Sequence, residues 1–408
     1  MSMKLKFGFS LLFSIFSAAI SAQNLYFPPT NNNQWDKTNP SDLNYCDHRI
    51  DSLYKFLGDN KTKAFILLKD GKIVLEKYFD NFDSSSQWYW ASAGKGLTAF
   101  MTGLAQEQGY LSIQDSSSKY LGSGWTSASA NQESQIKIVH QLSMTSGLDG
   151  EVADPFCTLP SCLEYKNPPG QTWAYHNGPY TLLDSVLEVA TGRSLNLYIN
   201  QQLRLSTGIT GAFIKSGYNN VFYSTPRSMA RFGLLMLNKG KWNQTQIMND
   251  SNYFNAMINT SNNDNLSYGY LWWLNGKNSY KVPGVNFVIP GTLIPDAPTD
   301  LYSAMGKNGQ FINIVPSQNL VWIRMGESPD AVDVPFLLNN EIWKRVNNLP
   351  CGILNSHEIN SNLIEIFPNP STGIFKIHSR KNLKEIKVYS ILGELIYTKT
   401  FVDNKQSA

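Results

Sequence analysis

Apolar residues first cluster in two β-rich runs around a tight polar pair, Ala64-Phe-Ile-Leu-Leu-Lys-Asp70-Gly71-Lys-Ile-Val-Leu-Glu-Lys-Tyr-Phe79. Asp-Gly between such runs predicts a β-hairpin, because the tightest hairpin turns need positive φ at both central residues. A second hairpin is predicted far downstream, where Phe311-Ile-Asn-Ile-Val-Pro316 and Leu320-Val-Trp-Ile-Arg-Met325 flank Ser317-Gln318-Asn319. Between the two, the apolar period lengthens. Leu97, Phe100, Met101 and Leu104 recur at three- and four-residue spacing, as do Leu182, Leu183, Val186 and Leu187 ahead of Thr191-Gly192, and Met229, Phe232, Leu235 and Leu237. Each set predicts an amphipathic helix. A last helix is expected over 335–348, before Asn347-Asn348-Leu349-Pro350. Strands at both ends with helices between them predict an α+β domain, an antiparallel sheet whose first and last strands meet, flanked by helices and carrying an inserted helical region.

The two ends of the chain differ from this domain. Lys4 and Lys6 precede the apolar run Phe7 to Ile20, and Ser21-Ala22 supplies small residues for cleavage, so 1–22 is expected to be a secretory signal peptide. Its apolar run of about 14 residues is short of the roughly 20 that a membrane span needs. Residues 23–45 are polar and irregular, and the main domain is expected over 46–350. A polar linker over 351–362 leads into a small β module over 363–408, with apolar runs at Ile364-Glu-Ile-Phe367, Ile374-Phe-Lys-Ile377 and Ile386 to Tyr397.

Composition narrows the function. The 408 residues carry 34 Lys+Arg against 31 Asp+Glu, and without Lys4 and Lys6 the formal charge falls from +3 to +1. Bulk charge gives no attraction for nucleic acid or an anionic membrane, and 42 % hydrophobic with 12 % aromatic content excludes a disordered chain. Small neutral or mixed-charge substrates fit better, in a secreted protein of the periplasm, cell surface or medium. Export favours disulfides among Cys46, Cys157, Cys162 and Cys351. Of three pairings, Cys157 with Cys162 and Cys46 with Cys351 are expected. His48, His140, His176, His357 and His378 are scattered without metal-ligand spacing, so no metal or other cofactor is expected.

Candidate chemistry begins with Ser-x-x-Lys, which occurs at Ser52, Ser92, Ser116 and Ser134. Only Ser92-Ala-Gly-Lys95 runs directly into a long apolar-periodic stretch, which puts Ser92 in the first turn of a buried helix. There Lys95 shares its helix face, and the helix dipole and desolvation favour a neutral amine able to take the hydroxyl proton. The Ser92 N–H would face a developing oxyanion. Tyr-x-Asn occurs at Tyr165, Tyr175, Tyr198, Tyr218 and Tyr253. Only Tyr175-His176-Asn177 sits in a turn-rich loop, Pro168 to Gly178, ahead of a helix. Tyr175 is expected to relay protons to a leaving group and Asn177 to orient Lys95 and the substrate, with no role for His176. Gly306-Lys307-Asn308-Gly309-Gln310 runs into a strand; Lys307 offers positive charge, Gly309 close approach, and the Gln310 N–H a second oxyanion donor.

In that order, Ser92-x-x-Lys95, Tyr175-x-Asn177 and Lys307-x-Gly309 resemble the serine β-lactamase and penicillin-binding-protein superfamily. Leu142 to Leu148, Ser224 to Gly233, Tyr268 to Trp273 and Gln310 to Gly326 resemble the branch of class C β-lactamases, related esterases, D-aminopeptidases and 6-aminohexanoate-dimer hydrolases. The resemblance implies a β-lactamase/transpeptidase-like fold, acylation of Ser92 by a carbonyl substrate, and hydrolysis of the acyl-enzyme. Tyr-x-Asn in place of Ser-Asp-Asn argues against class A enzymes. Asn308 stands where lactamases carry threonine, which favours an esterase or amidase, and Met144 with Gly306 to Gln310 leans towards the dimer-hydrolase branch. D,D-peptidase, penicillin-binding or lactamase activity, or a binding module without turnover, are the alternatives. Phe367-Pro-Asn-Pro370, Gly373 and Val388-Tyr to Gly393-Glu resemble a C-terminal sorting domain of the type IX secretion machinery, present in part since the chain stops at Ala408 where the family adds a further strand pair.

Overall fold

The two predicted hairpins lie side by side in one antiparallel sheet. This computed structural model describes residues 25–328, 332, 334–351, 364–367, 376–379, 384–389 and 395–401. The expected signal peptide and nearly all of the linker lie outside the described residues. In chain order the strands of the two larger sheets are β1 (Thr62–Lys69), β2 (Lys72–Tyr78), β3 (Trp88–Tyr89), β4 (Ala212–Ser216), β5 (Asn219–Ser224), β6 (Trp273–Leu274), β7 (Tyr302–Gly306), β8 (Gln310–Val315) and β9 (Leu320–Gly326). The main sheet runs β2-β1-β9-β8-β7-β6, and β3, β5 and β4 form a second one. β1 pairs with β9 from Thr62 opposite Gly326 to Lys69 opposite Leu320, so first and last strands meet. The turn between β1 and β2 has Asp70 at φ 52° and Gly71 at φ 84°, the positive pair that Asp-Gly supplies.

Both faces of the sheet are covered, which is why β9 reads Leu-Val-Trp-Ile-Arg-Met without alternation. On one face α1 (Asp47–Asp59) lies alongside the C-terminal helix, α5 (Phe336–Asn347), where Trp343 meets Trp322 with ring centroids 5.5 Å apart. The opposite face carries α4 (Pro226–Leu237), where Gly233 abuts Val321 and Ile312. Thr225 caps α4 by accepting the Ser228 N–H, and Pro226 fits its first turn.

The helix expected to be amphipathic at 97–104 is instead enclosed. Every residue of α2 (Lys95–Glu107) from Lys95 to Ala105 is buried, between the sheet side and the inserted helices. Gly96, Ala99, Gly103 and Ala105 keep it thin enough for neighbours to close in all round. α3 (Asn177–Thr191) packs against it and ends at Gly192 in the left-handed region, as Thr191-Gly192 predicts.

The irregular segment ahead of the domain covers an edge of the sheet. Thr38 N donates to Ile73 O, Ile73 N to Asp36 O, and the Trp35 indole N–H to Gly71 O, so the exposed side of β2 is occupied. Cys157 is bonded to Cys162, and Cys46 and Cys351 are disulfide-bonded as well. The chain divides into units at 1–349 and 350–408. The second contains two antiparallel ladders, Ile364–Phe367 with Lys376–Ser379 and Glu385–Tyr389 with Leu395–Thr400. No helix among the described residues is long and apolar enough to cross a membrane.

Candidate active site

Ser92 sits in a single 3₁₀ turn, Ala91–Gly94, that feeds straight into α2. The preceding Ala91 has φ 46°, an uncommon conformation for a residue with a side chain. It is held because Trp90 is pinned on both sides: its N–H donates to Phe222 O, its indole N–H donates to Ser224 Oγ, and its carbonyl accepts from Ala93 N. Backbone strain of this kind, on the order of 1–3 kcal/mol, persists only where surrounding structure fixes it.

Lys95 is buried, and its Nζ donates to Ser92 Oγ at 3.0 Å and to Asn177 Oδ1 at 2.7 Å. Burial pushes the amine down to about 7, against a nearby carboxyl, Asp184, that favours its charged form. Aromatic faces flank it: the Tyr180 ring centroid is 4.1 Å from Nζ and that of Tyr175 is 5.1 Å away. Asn177 opens α3 and so is held by the helix; Tyr175 lies two residues before it on an extended approach. Tyr175 stacks on Trp273 at 5.8 Å and meets Tyr268 edge-on. The peptide of Trp173 is clamped by an ion pair between buried Lys281 and half-buried Asp264. Asp264 Oδ2 accepts from both Trp173 N and Lys281 Nζ, and Lys281 Nζ donates to Trp173 O. Tyr175 is thus carried on a loop fixed from both ends. His176 is buried, neither ring nitrogen has a hydrogen-bond partner, and burial lowers it to about 4, so it stays neutral.

The third motif forms the turn between β7 and β8. Lys307 is exposed at the tip. Asn308, at φ 62°, donates its side-chain N–H to Tyr89 Oη at 2.7 Å. Gln310 turns its side chain inward, donating to Lys307 O and Gly326 O and accepting from Gly326 N. The backbone that abuts the nucleophile belongs to Gly306. A Cβ added there would lie 2.8 Å from the nitrogens of Ser92 and Ala93 and 2.7 Å from Trp90 O. Those are main-chain atoms with nowhere to go. Gly306→Ala is therefore expected to displace the end of β7 from Ser92 and to lower kcat/KM about a hundredfold, with thermal unfolding showing that the fold persists.

Beside Tyr175 lies a cavity of about 380 Å³. Its walls come from residues 147–151, 166–167, 172–175, 281–282 and 284–286. Lys166 forms ion pairs with both Asp149 and Glu151 on that wall. Among the described residues no group of three or more His, Cys, Asp and Glu is placed to hold a metal ion.

Residues 58–334 match the beta-lactamase family model. The chain belongs to the beta-lactamase family. Residues 365–408 of this beta-lactamase-family protein match the secretion system C-terminal sorting domain, the mark of a secreted or cell-surface protein. An uncharacterized protein of Alkalihalophilus pseudofirmus is 22 % identical over 309 residues, covering 66 % of this chain and 84 % of that one. Among solved structures, a Bacillus anthracis protein provisionally named a 6-aminohexanoate-dimer hydrolase aligns with TM-score 0.58 at 19 % identity, over 80 % of this chain and 91 % of that one. A penicillin-binding protein of Bacillus halodurans aligns with TM-score 0.52 at 16 % identity, over 73 % and 99 %. These likenesses show the β-lactamase/transpeptidase-like fold, an antiparallel sheet with helices.

Sequence reasoning missed Gly306, one residue ahead of the Lys-x-Gly motif, because its role depends on which strand end meets Ser92. It also missed Asp184 and Tyr180. Their signal was present: both sit on the arc of α3 that carries Leu183 and Leu187, where a carboxyl is out of place.

Proposed function

We propose that the protein is a secreted serine hydrolase that cleaves an ester or amide bond through an acyl-enzyme on Ser92. The observation that carries this reading is Lys95, a buried amine brought down to about 7, hydrogen-bonded to Ser92 Oγ and oriented by Asn177. Ser92 Oγ attacks the substrate carbonyl carbon while its proton passes to Lys95 Nζ. The oxyanion is stabilised by the Ser92 N–H at the start of a buried helix and by a second main-chain N–H from the 306–310 segment, whose Gly306 end abuts Ser92. Tyr175 gives a proton to the leaving nitrogen or oxygen as the C–N or C–O bond breaks, and recovers one from Lys95. Water then attacks the acyl carbon, and Ser92 leaves with its proton restored. Lys307 at the mouth would meet a substrate carboxylate, and Asn308 and Gly309 shape the turn that presents it. Residues 1–22 and the tail would direct export, the tail through type IX secretion machinery.

The test is to mix the mature protein and its Ser92→Ala variant with a fluorophosphonate, a short-chain p-nitrophenyl ester and a chromogenic cephalosporin. One adduct on the wild type, none on the variant, and faster ester than cephalosporin turnover is the expected result. A stable penicilloyl adduct with slow release would point to a D,D-peptidase or penicillin-binding role. Ligand binding with no adduct on either protein would leave a binding module.

A further inference from the structure

Asp184 is a buried carboxyl that the proton transfers above do not touch. It lies seven residues after Asn177 and four after Tyr180 on α3, so the three side chains share one face of the helix. The first two hold Lys95, Asn177 by a hydrogen bond and Tyr180 by its ring face. Asp184 is the next group along, 7 % exposed. Its Oδ2 accepts from Asn220 Nδ2 at 3.0 Å, while its Oδ1 is buried with no hydrogen-bond partner. A carboxylate at that depth ordinarily collects several donors or a contacting cation. One amide is a thin supply.

We infer that Asp184 is a positioning residue for the base: its buried charge, acting on Lys95 past the Tyr180 ring, sets the pH at which the amine becomes free to take the Ser92 proton. This rests on the hydrolase reading. Among the described residues that act on Asp184, Lys95 is the buried cation. Glu188, one turn further along α3, and Lys215 on β4 are both exposed, and β5 contributes only Asn220. On the helix Ser118–Leu121, Lys119 and Tyr120 both bind Asp115; on Ile138–Leu142, His140 accepts from Lys137 N; on Leu195–Ile199, Tyr198 donates to Gln108. Burial raises the Asp184 carboxyl to about 7, while the Lys95 charge favours the carboxylate and the Asp184 charge favours the protonated amine. Wherever Asp184 is ionised it keeps Lys95 protonated to higher pH. Removing that charge moves the onset of activity to lower pH.

The experiment follows the rate of fluorophosphonate labelling of the full chain against pH, for wild type, Asp184→Asn and Asn220→Ala. In Asp184→Asn the midpoint of the acid limb is expected to fall by about one pH unit, giving roughly tenfold faster labelling than wild type below it, with similar alkaline plateaus. Asn220→Ala removes the donor that favours the carboxylate, so its limb moves the same way by less. An unmoved limb in a folded Asp184→Asn overturns the inference and leaves Asp184 a structural group. Should that variant fail to fold, Asn220→Ala decides alone, since it keeps the carboxyl in place: a lowered limb supports the inference and an unmoved one overturns it. A wild type that never labels sinks the hydrolase reading and this inference with it, whereas a labelling wild type with unshifted variants sinks only the inference.

Discussion

Lys95→Met is expected to lower kcat/KM by about 10³–10⁴-fold while leaving the protein folded. Methionine matches the length and volume of the lysine stem but has no amine to accept the Ser92 proton or to bridge Ser92 Oγ and Asn177 Oδ1. The folding balance is close. Lost hydrogen bonds are offset by removing a polar group whose burial is itself unfavourable, the same desolvation that brings Lys95 down to about 7. The wild-type profile supplies the companion observation. Only the neutral amine can take a proton, so kcat/KM should rise as pH increases through about 7 and fall as Lys95 becomes protonated below it. In the variant that limb should vanish, leaving a low, flat baseline. A Lys95→Met protein with near-normal turnover and an unchanged acid limb would show that some other group is the base.

How far the residues alone lead depends on which physical rule each one obeys. Asp70-Gly71 reads as a hairpin because the turn chemistry is local, and Thr191-Gly192 reads as a helix end for the same reason. Ser92, Lys95, Tyr175 and Asn177 are picked out by setting, and the fold brings Lys95 against Ser92, Asn177 and the Tyr175 ring. That α2 is buried was legible from its apolar run, but that it is buried all round was not. Its pattern satisfies an amphipathic template, and whether its second face meets water is decided by α3 and by residues near 253 and 272, far away in sequence. The role of Gly306 escaped for the same reason: a glycine beside a strand end says that something comes close, not what.

Non-local dependence also explains why a residue with no chemistry to perform can govern the site. Arg324 is fully buried at the end of β9, opposite Phe65 and Phe311, and its guanidinium has no carboxylate within ion-pair distance among the described residues. It donates instead to Thr62 Oγ1 and to the carbonyls of Asn60, Asn308, Gly309 and Glu327. Burial lowers it to about 9, so it remains charged at neutral pH. Two of those carbonyls are the turn after Gly306, the segment placed beside Ser92.

Arg324→Met is therefore expected to destabilise the domain by roughly 3–5 kcal/mol, a fall in Tm on the order of 5–10 °C, and to depress kcat/KM beyond what the unfolded fraction explains. The sign follows from an asymmetry. Replacing a buried cation by an apolar side chain can stabilise a protein when its partners are replaced too, but four of these partners are backbone carbonyls that no substitution removes. They would be left buried without donors, and the Lys307–Gly309 turn would relax away from its present place. Arg324→Lys should recover less than half of the loss, because a single ammonium cannot reach acceptors spread around a planar fork. Thermal unfolding together with kcat/KM measured well below Tm separates the two consequences. A variant with wild-type stability would mean that water or a rearranged turn satisfies those carbonyls. A destabilised variant with intact kcat/KM would mean that the turn keeps its position without the guanidinium.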